Sequence, residues 1–301
     1  MKNFSFMAFS AGKETLEGGP VKRYIGVAPV KVLATNPTKA ELEALYNTTL
    51  EKDVEYTGSQ NVEGKDIPYA RIDFIVRTDK EKTKTPDNNE GIEMTTKVSY
   101  FIRKEYRFNR DGSKVQVIDK YGRTAWVTKE QANNHEIPQY KNGPANIDAS
   151  YRPAYVGEED LTNFIKTYLN IPNVQKYVDG KWLMVDNPSE CEARLDGIDK
   201  FFAGDFKELR EIMSYQPNNK VKIMFGVRTA DDGKQYQAAY TQMVLRNGVT
   251  DYSKLDADLQ ERKLNGAYPN VEFEAVTIHE YAVEATKPED LPAAEAPKGW
   301  F

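Results

Sequence analysis

Five acids, Glu190, Glu192, Asp196, Asp199 and Asp205, crowd one short stretch and could hold Mg²⁺ for nuclease chemistry, because hard cations take carboxylate oxygens. On a helix, Glu192, Asp196 and Asp199 would fall at i, i+4 and i+7 beside Arg194, which is equally the pattern of a solvated face. His135 sits in a polar stretch and His279 at a strand end, with nothing in the sequence pairing them. Cys191 is the single cysteine, so neither a His/Cys metal cage nor an internal disulfide can form, in keeping with a reducing cytoplasm. No Gly-rich loop ends in Gly-Lys-Ser/Thr, and no Gly-x-Ser-x-Gly elbow occurs. The expectation is a protein without catalytic residues, metal or cofactor.

Binding chemistry is better represented. Aromatic and basic residues interleave at the strand period of two. In Lys97 to Arg107 the odd positions carry Lys97, Phe101, Arg103 and Arg107, and the even ones Val98, Tyr100, Ile102, Tyr106 and, farther on, Phe108. Tyr69, Arg71, Asp73 and Arg77 alternate with Ala70, Ile72, Phe74 and Val76. Val221, Ile223, Phe225 and Val227 alternate with Lys222 and Arg228, and Tyr236, Tyr240 and Arg246 alternate with Gln237, Ala239, Thr241, Met243 and Leu245. Exposed rings stack unpaired bases while cations track phosphates, and a duplex hides its base faces, so such a surface suits single strands. Tyr–Arg pairing across an ordinary exposed sheet would leave the same composition. The candidate nucleic-acid-binding set is Tyr69, Arg71, Phe101, Arg103, Arg107, Lys222, Arg228, Tyr236 and Tyr240.

The 301 residues carry a net charge of −5, unevenly placed. Lys97 to Lys129 holds nine Lys or Arg against three acids, whereas Val271 to Phe301 holds seven acids against two lysines. A basic middle and an acidic end suit a protein that handles a polyanion while its tail competes for the same surface, and suit two solvated faces as well. The tail ends KPEDLPAAEAPKGWF, so Trp300 and Phe301 with the free carboxylate could dock a replication or recombination partner or fold back on the body.

The elements that must position these residues can be read in turn. Residues 1–20 read as a flexible arm, and the opening MKNFSFMAFSAGKET has no secretory-signal pattern. A strand is expected over Arg23 to Leu33, bent near Pro29, then a helix from Lys39 to Tyr46 capped by Thr38 with Glu41 three residues on. Strands follow over Tyr69–Arg77, Thr95–Phe108, Lys114–Ile118 and Thr124–Val127, with turns at Asp111-Gly112 and Tyr121-Gly122. Thr78–Gly91 reads as a mobile hairpin tip and Thr128–Pro153 as an irregular connection. Helices are expected over Glu158–Leu169 and within Glu190–Tyr215, broken near Gly204-Asp205. A hairpin over Val221–Arg246, a helical or looped Asp251–Leu264 and a strand over Val271–Ile278 complete the body. No apolar run reaches the ~18 residues of a membrane span. The expectation is a mainly β, α+β fold: an OB-like antiparallel β-barrel over residues 21–286, a helical insertion over about 155–216, and a disordered acidic tail over 287–301.

The segments RYIGVAPVKVLATNPTKAEL, ARIDFIV, KVQVIDKYGRTAWVT, SECEARLDGIDKFF, FGVRTADDGKQYQAAYTQM and NGVTDYSKLD resemble the single-stranded DNA-binding proteins of crAss-like, Bacteroidales-infecting phages, from about Arg23 to Tyr281. That family is similar in role to the helix-destabilising proteins of T-even phages, which use an OB fold. The chain departs from the latter by lacking their zinc-binding cysteines and histidine, and from bacterial single-strand binders by ending Trp-Phe. The resemblance implies sequence-independent coating of single-stranded DNA during phage replication or recombination, in the cytoplasm of the infected host. A virion-associated structural or cargo protein is the alternative reading, and a Mg²⁺-dependent nuclease a remote third.

Overall fold

The computed structural model describes residues 23–84, 90–138 and 147–273. Strand β1 (Gly26–Thr35) leads to helix α1 (Lys39–Tyr46), a hairpin of β2 (Thr57–Val62) and β3 (Lys65–Thr78), and the long β4 (Thr95–Tyr106). A second hairpin, β5 (Lys114–Ile118) and β6 (Thr124–Thr128), precedes α2 (Lys129–Asn133), β7 (Arg152–Pro153), β8 (Tyr155–Val156) and α3 (Glu158–Tyr168). Then come the hairpin β9 (Gln175–Val178) and β10 (Lys181–Met184), and short helices α4 (Ile198–Phe201) and α5 (Lys207–Ile212). The chain closes with β11 (Val221–Thr229), β12 (Gln235–Arg246), α6 (Ser253–Leu264) and β13 (Val271–Glu272).

Eight strands form one antiparallel sheet in the order β12-β11-β1-β3-β4-β8, with β2 beside β3 and β13 beside β11. The sheet curls into a half-barrel. Its β4 and β12 approach each other, and the Tyr100 hydroxyl on β4 donates to the Thr241 carbonyl on β12 at 3.4 Å. Alternation supplies the core. Ala70, Ile72, Phe74 and Val76 of β3 and Val98, Tyr100 and Ile102 of β4 point inward with Ala28, Val30, Val221, Ile223 and Phe225. Helix α3 covers the opening, its Leu161, Phe164, Ile165 and Tyr168 joining that core, with the Phe164 ring stacked on Phe74 at 4.5 Å. Leu195, Ile198, Phe201, Phe206, Leu209 and Met213 also enter it. The helical region therefore contributes to the main core.

The outer face is partly covered too. Helix α6 lays Tyr252, Leu255 and Leu259 on Val27, Met224 and Tyr240, forming a second cluster with Phe273. Helix α1 lays Leu42 and Tyr46 on Ile75. The expected capping box is present, Thr38 accepting from the Glu41 N–H at 3.3 Å while the Thr38 N–H donates to the Glu41 carboxylate at 2.6 Å. A small three-stranded sheet, β6-β5-β7, packs over its own core of Val115, Val117, Val127, Ile147 and Tyr151.

Several local expectations are corrected. The bulge in β1 falls between Val32 and Ala34 rather than at Pro29, which keeps its ladder place opposite Lys222. The stretch around Glu190 holds a 3₁₀ turn over Pro188–Cys191, then irregular chain to Leu195 and a turn at Asp196-Gly197 before α4, so Glu192, Asp196 and Asp199 share no helix. Thr128 caps a short helix, α2, inside the supposed irregular connection. Strands β2, β9 and β10 had no sequence signal of alternating apolar residues. The N-terminal arm, the strand beyond Phe273 and the acidic tail lie outside the described residues. No described helix is long and apolar enough to cross a membrane.

Candidate nucleic-acid interface

The β3–β4 ladder brings four of the nine candidate residues together. Tyr69 pairs with Arg103 and Arg71 with Phe101 across the strands, and the Tyr69 and Phe101 rings stand 6.1 Å apart. A buried polar node aligns this ladder. Asp73, nearly inaccessible, accepts from the Ser99 hydroxyl at 2.7 Å and lies 3.2 Å from Arg71 and 3.4 Å from Lys97. Arg71 also stacks over the Tyr56 ring at 5.4 Å, so its charge is largely answered by protein. Among the described residues, the ion pair of Arg103 is with the exposed Glu105 at 3.6 Å, a pair of little worth in water.

Beyond Ile102 the barrel core ends and β4 runs on past it. Its pairing with β8 shifts register between Arg103 and Tyr106, and Tyr106 continues the inner face, beside a Tyr155 that packs at the margin of the main core. Phe101 (42%) is exposed on the outer face of the ladder, and Tyr106 (47%), Phe108 (45%) and Trp126 (40%) are exposed beyond the end of the core and on the β5–β6 hairpin. Cations lie against the neighbouring rings: Arg107 over Trp126 at 5.8 Å, Lys129 over Phe108 at 5.1 Å, and Lys104 over Phe202 at 5.6 Å. Tyr106 stacks on Tyr155 at 5.4 Å, and Tyr155 meets Phe202 at 5.3 Å. Its hydroxyl donates to Asp199 at 2.8 Å; burial and that carboxylate push the phenol's pKa well up, so it stays a neutral donor.

The scaffold beneath is built of paired charges. Glu158, fully buried, takes two hydrogen bonds from Arg152 at 2.6 and 3.0 Å and one from the Tyr155 N–H at 2.9 Å. Glu159 accepts from Arg107 at 2.9 Å, Gln116 at 2.8 Å and Thr124 at 2.7 Å, clamping the β5–β6 hairpin to α3. Gly157, at φ 88°, lets the chain pass over the Phe101 carbonyl, which a Cβ there would meet at 2.0 Å.

Apart from Arg107, the rest of the candidate set is dispersed. Arg228 and Tyr236 pair across β11 and β12, with the guanidinium 5.4 Å from the ring centre, on strands that do not pair with β3 or β4. Lys222 and Tyr240 are corrected. Lys222 donates to the Val249 carbonyl at 2.6 Å and the Tyr252 hydroxyl at 2.7 Å, which ties down the loop before α6. Tyr240 is wholly buried under α6, its hydroxyl donating to Asp258, and cannot stack a base. The bulge between Lys222 and Met224 and the cover of α6 decide this, and neither is visible in the alternation of β12. Trp300 and Phe301 lie outside the described residues.

Parity places Tyr106 and Phe108 on the apolar face, and no motif or alternation marks Lys104, Trp126, Lys129, Tyr155 or Phe202. The density of basic residues from Lys97 to Lys129 was the one signal that covers most of them.

The acidic stretch does not assemble as a site. Asp196 pairs with Arg194 at 2.7 Å, Glu192 with Lys120 at 3.2 Å and Asp199 with Tyr155. Among the described residues no group of three or more His, Cys, Asp or Glu is placed to hold a metal ion.

Comparison adds no relative. No family model, curated protein or solved structure matches the chain.

Proposed function

We propose that the protein binds single-stranded DNA irrespective of sequence and coats it during phage replication or recombination in the host cytoplasm. The observation that carries this reading is the outer face of the β3–β4 ladder, where the Tyr69 and Phe101 rings stand 6.1 Å apart beside Arg103, with the half-exposed rings Tyr106, Phe108 and Trp126 farther along the chain near Lys104 and Lys129. Successive bases stack on such rings at about 1–3 kcal/mol each, and the cations follow the backbone.

The connectivity supports an OB-like reading. A meander of β1, β3 and β4 is followed by α3, and then by a hairpin whose first strand, β11, pairs with β1. Because every ladder along the path is antiparallel, the second strand, β12, runs in the same direction as β4, which it approaches. That is the closing relation of a five-stranded, partly open Greek-key barrel. The resemblance to the crAss-like phage single-strand binders points to the same role.

The test is a titration with oligothymidine and with duplex of equal length across a salt series, following Trp126 fluorescence in a Trp182→Phe, Trp300→Phe background. Quenching by single strands, preference over duplex and affinity falling steeply with salt are expected. Absence of single-strand binding at low salt would overturn the reading.

A further inference from the structure

The β9–β10 hairpin has no place in the interface above. It projects as a two-stranded sheet of its own, joined by the tight Asp179-Gly180 turn, with both residues at positive φ. Both faces are open: Tyr177 (63%), Trp182 (50%), Leu183 (45%), Met184 (39%) and Val178 (38%) are all exposed. A two-stranded hairpin alone is marginal in water, and apolar side chains on both of its faces make it a liability unless something covers them. Lys176 and Lys181 are balanced by Asp179 and Asp186, so the hairpin carries no excess positive charge for phosphate. Aliphatic Val178, Leu183 and Met184 with Tyr and Trp are the chemistry of a protein contact.

The strand edges differ. In β9, Lys176 interrupts the centre, the usual guard against edge pairing. In β10, Lys181 stands only at the turn, followed by Trp182, Leu183 and Met184 without a guard. Val185 donates to Val174 at 2.9 Å, so the odd residues of β10 bond toward β9. The backbone groups of Trp182 and Met184 therefore face the outer edge, where no described strand pairs.

We propose that this edge is a self-association site: β10 of one molecule pairs antiparallel with β10 of a second copy. A two-fold axis at Leu183 sets Trp182 of each copy opposite Met184 of the other, both with outward hydrogen-bonding groups, and brings ring against thioether. The neutral charge balance lets identical hairpins meet without repulsion. The area sets the strength, since four strand residues cover far less than the ~800 Å² per partner of a stable complex. Such a contact is too weak to hold a dimer in dilute solution. It takes effect where copies are already held side by side, as on a coated strand, and there it makes binding cooperative. In this last step the inference rests on the proposed function.

Two measurements on the full chain separate the claims. Without nucleic acid, sedimentation from micromolar to millimolar protein should show reversible association, abolished by Leu183→Lys and by the double change Trp182→Thr with Met184→Thr. A thermal melt unchanged by either confirms that the fold is kept. On DNA, both variants should bind a single-site oligonucleotide as the parent does, while the cooperativity on long strands falls about tenfold or more. A parent that stays monomeric at millimolar concentration would overturn the proposal. So would an equal loss of affinity on the short oligonucleotide, which would make the hairpin a nucleic-acid contact. A parent that associates yet binds no oligonucleotide would sink the single-strand reading and leave the self-association site standing.

Discussion

The Arg107 guanidinium lies 5.8 Å from the centre of the Trp126 ring while donating to Glu159 at 2.9 Å and to Gln116 at 3.2 Å. Its charge is answered within the protein, so its main effect on the interface is to set the angle of the ring. Arg107→Lys keeps the charge but loses the planar fork and the stacking surface. The expected result is a more mobile Trp126, read as lower fluorescence anisotropy. Single-strand affinity should weaken with a salt slope shifted by much less than one. A slope shifted by a full unit would make Arg107 a phosphate ligand instead.

Phe101 and Arg103 lie two residues apart on β4 and should separate the two halves of the binding energy. Phe101→Ala is expected to cost about 1–3 kcal/mol on every sequence with an unchanged salt slope. Arg103→Ala should reduce the slope by about 0.7–1. Titrations of both variants at four salt concentrations check this, and identical slopes for the two would remove Arg103 from the phosphate path.

Lys222 and Tyr240 should matter for stability alone. Lys222→Met leaves the Val249 carbonyl and the Tyr252 hydroxyl without their donor and is expected to cost about 1–3 kcal/mol. Tyr240→Phe removes one hydrogen bond, but Asp258 keeps Arg262 at 3.1 Å, so the loss should be nearer 1 kcal/mol. Urea melts read both, and single-strand affinity at unchanged fold should match the parent.

Asp160, in the first turn of α3, has its pKa pushed up to about 6 by burial and by Glu159, with Asp258 adding to the effect and Arg107 and Arg262 opposing it. A raised carboxyl pKa means that the folded state holds the proton longer than the unfolded chain does. Stability therefore falls as pH rises from about 4 to about 6, by roughly 3 kcal/mol, and stays lower above that window. Asp160→Asn should raise the melting temperature at pH 7.5 and flatten the profile between pH 4 and 6. An unchanged profile would mean that another group titrates there.

Alternation made much of this molecule readable in advance. The inward face of β3 follows the written pattern Ala70, Ile72, Phe74, Val76, and the capping box at Thr38 is local chemistry within four residues. Helix α3 buries the predicted Leu161, Phe164, Ile165 and Tyr168 because a 3.6-residue period leaves them on one side. The placement of Tyr69, Arg71, Phe101 and Arg103 on one face follows from the same period of two.

Parity failed where it met tertiary structure. Tyr106 and Phe108 continue the even-numbered series of Val98, Tyr100 and Ile102, yet they are exposed, because the core that would bury them ends before they are reached. Tyr240 belongs to the series of Tyr236, yet α6 covers it. Short β9 and β10 lack a one-sided pattern because neither of their faces meets a core.

By itself the sequence determined what depends on neighbours within a turn or a strand: the caps, the turns, the inner faces of the long strands and the absence of phosphate-loop and hydrolase-elbow motifs. Only the tertiary structure decided which strands share one sheet, which parts of its outer face remain open, and which cations already have partners. The reason is physical. Side-chain direction is set by local backbone geometry, whereas exposure and free charge are set by whatever segments, distant in sequence, come to lie on top.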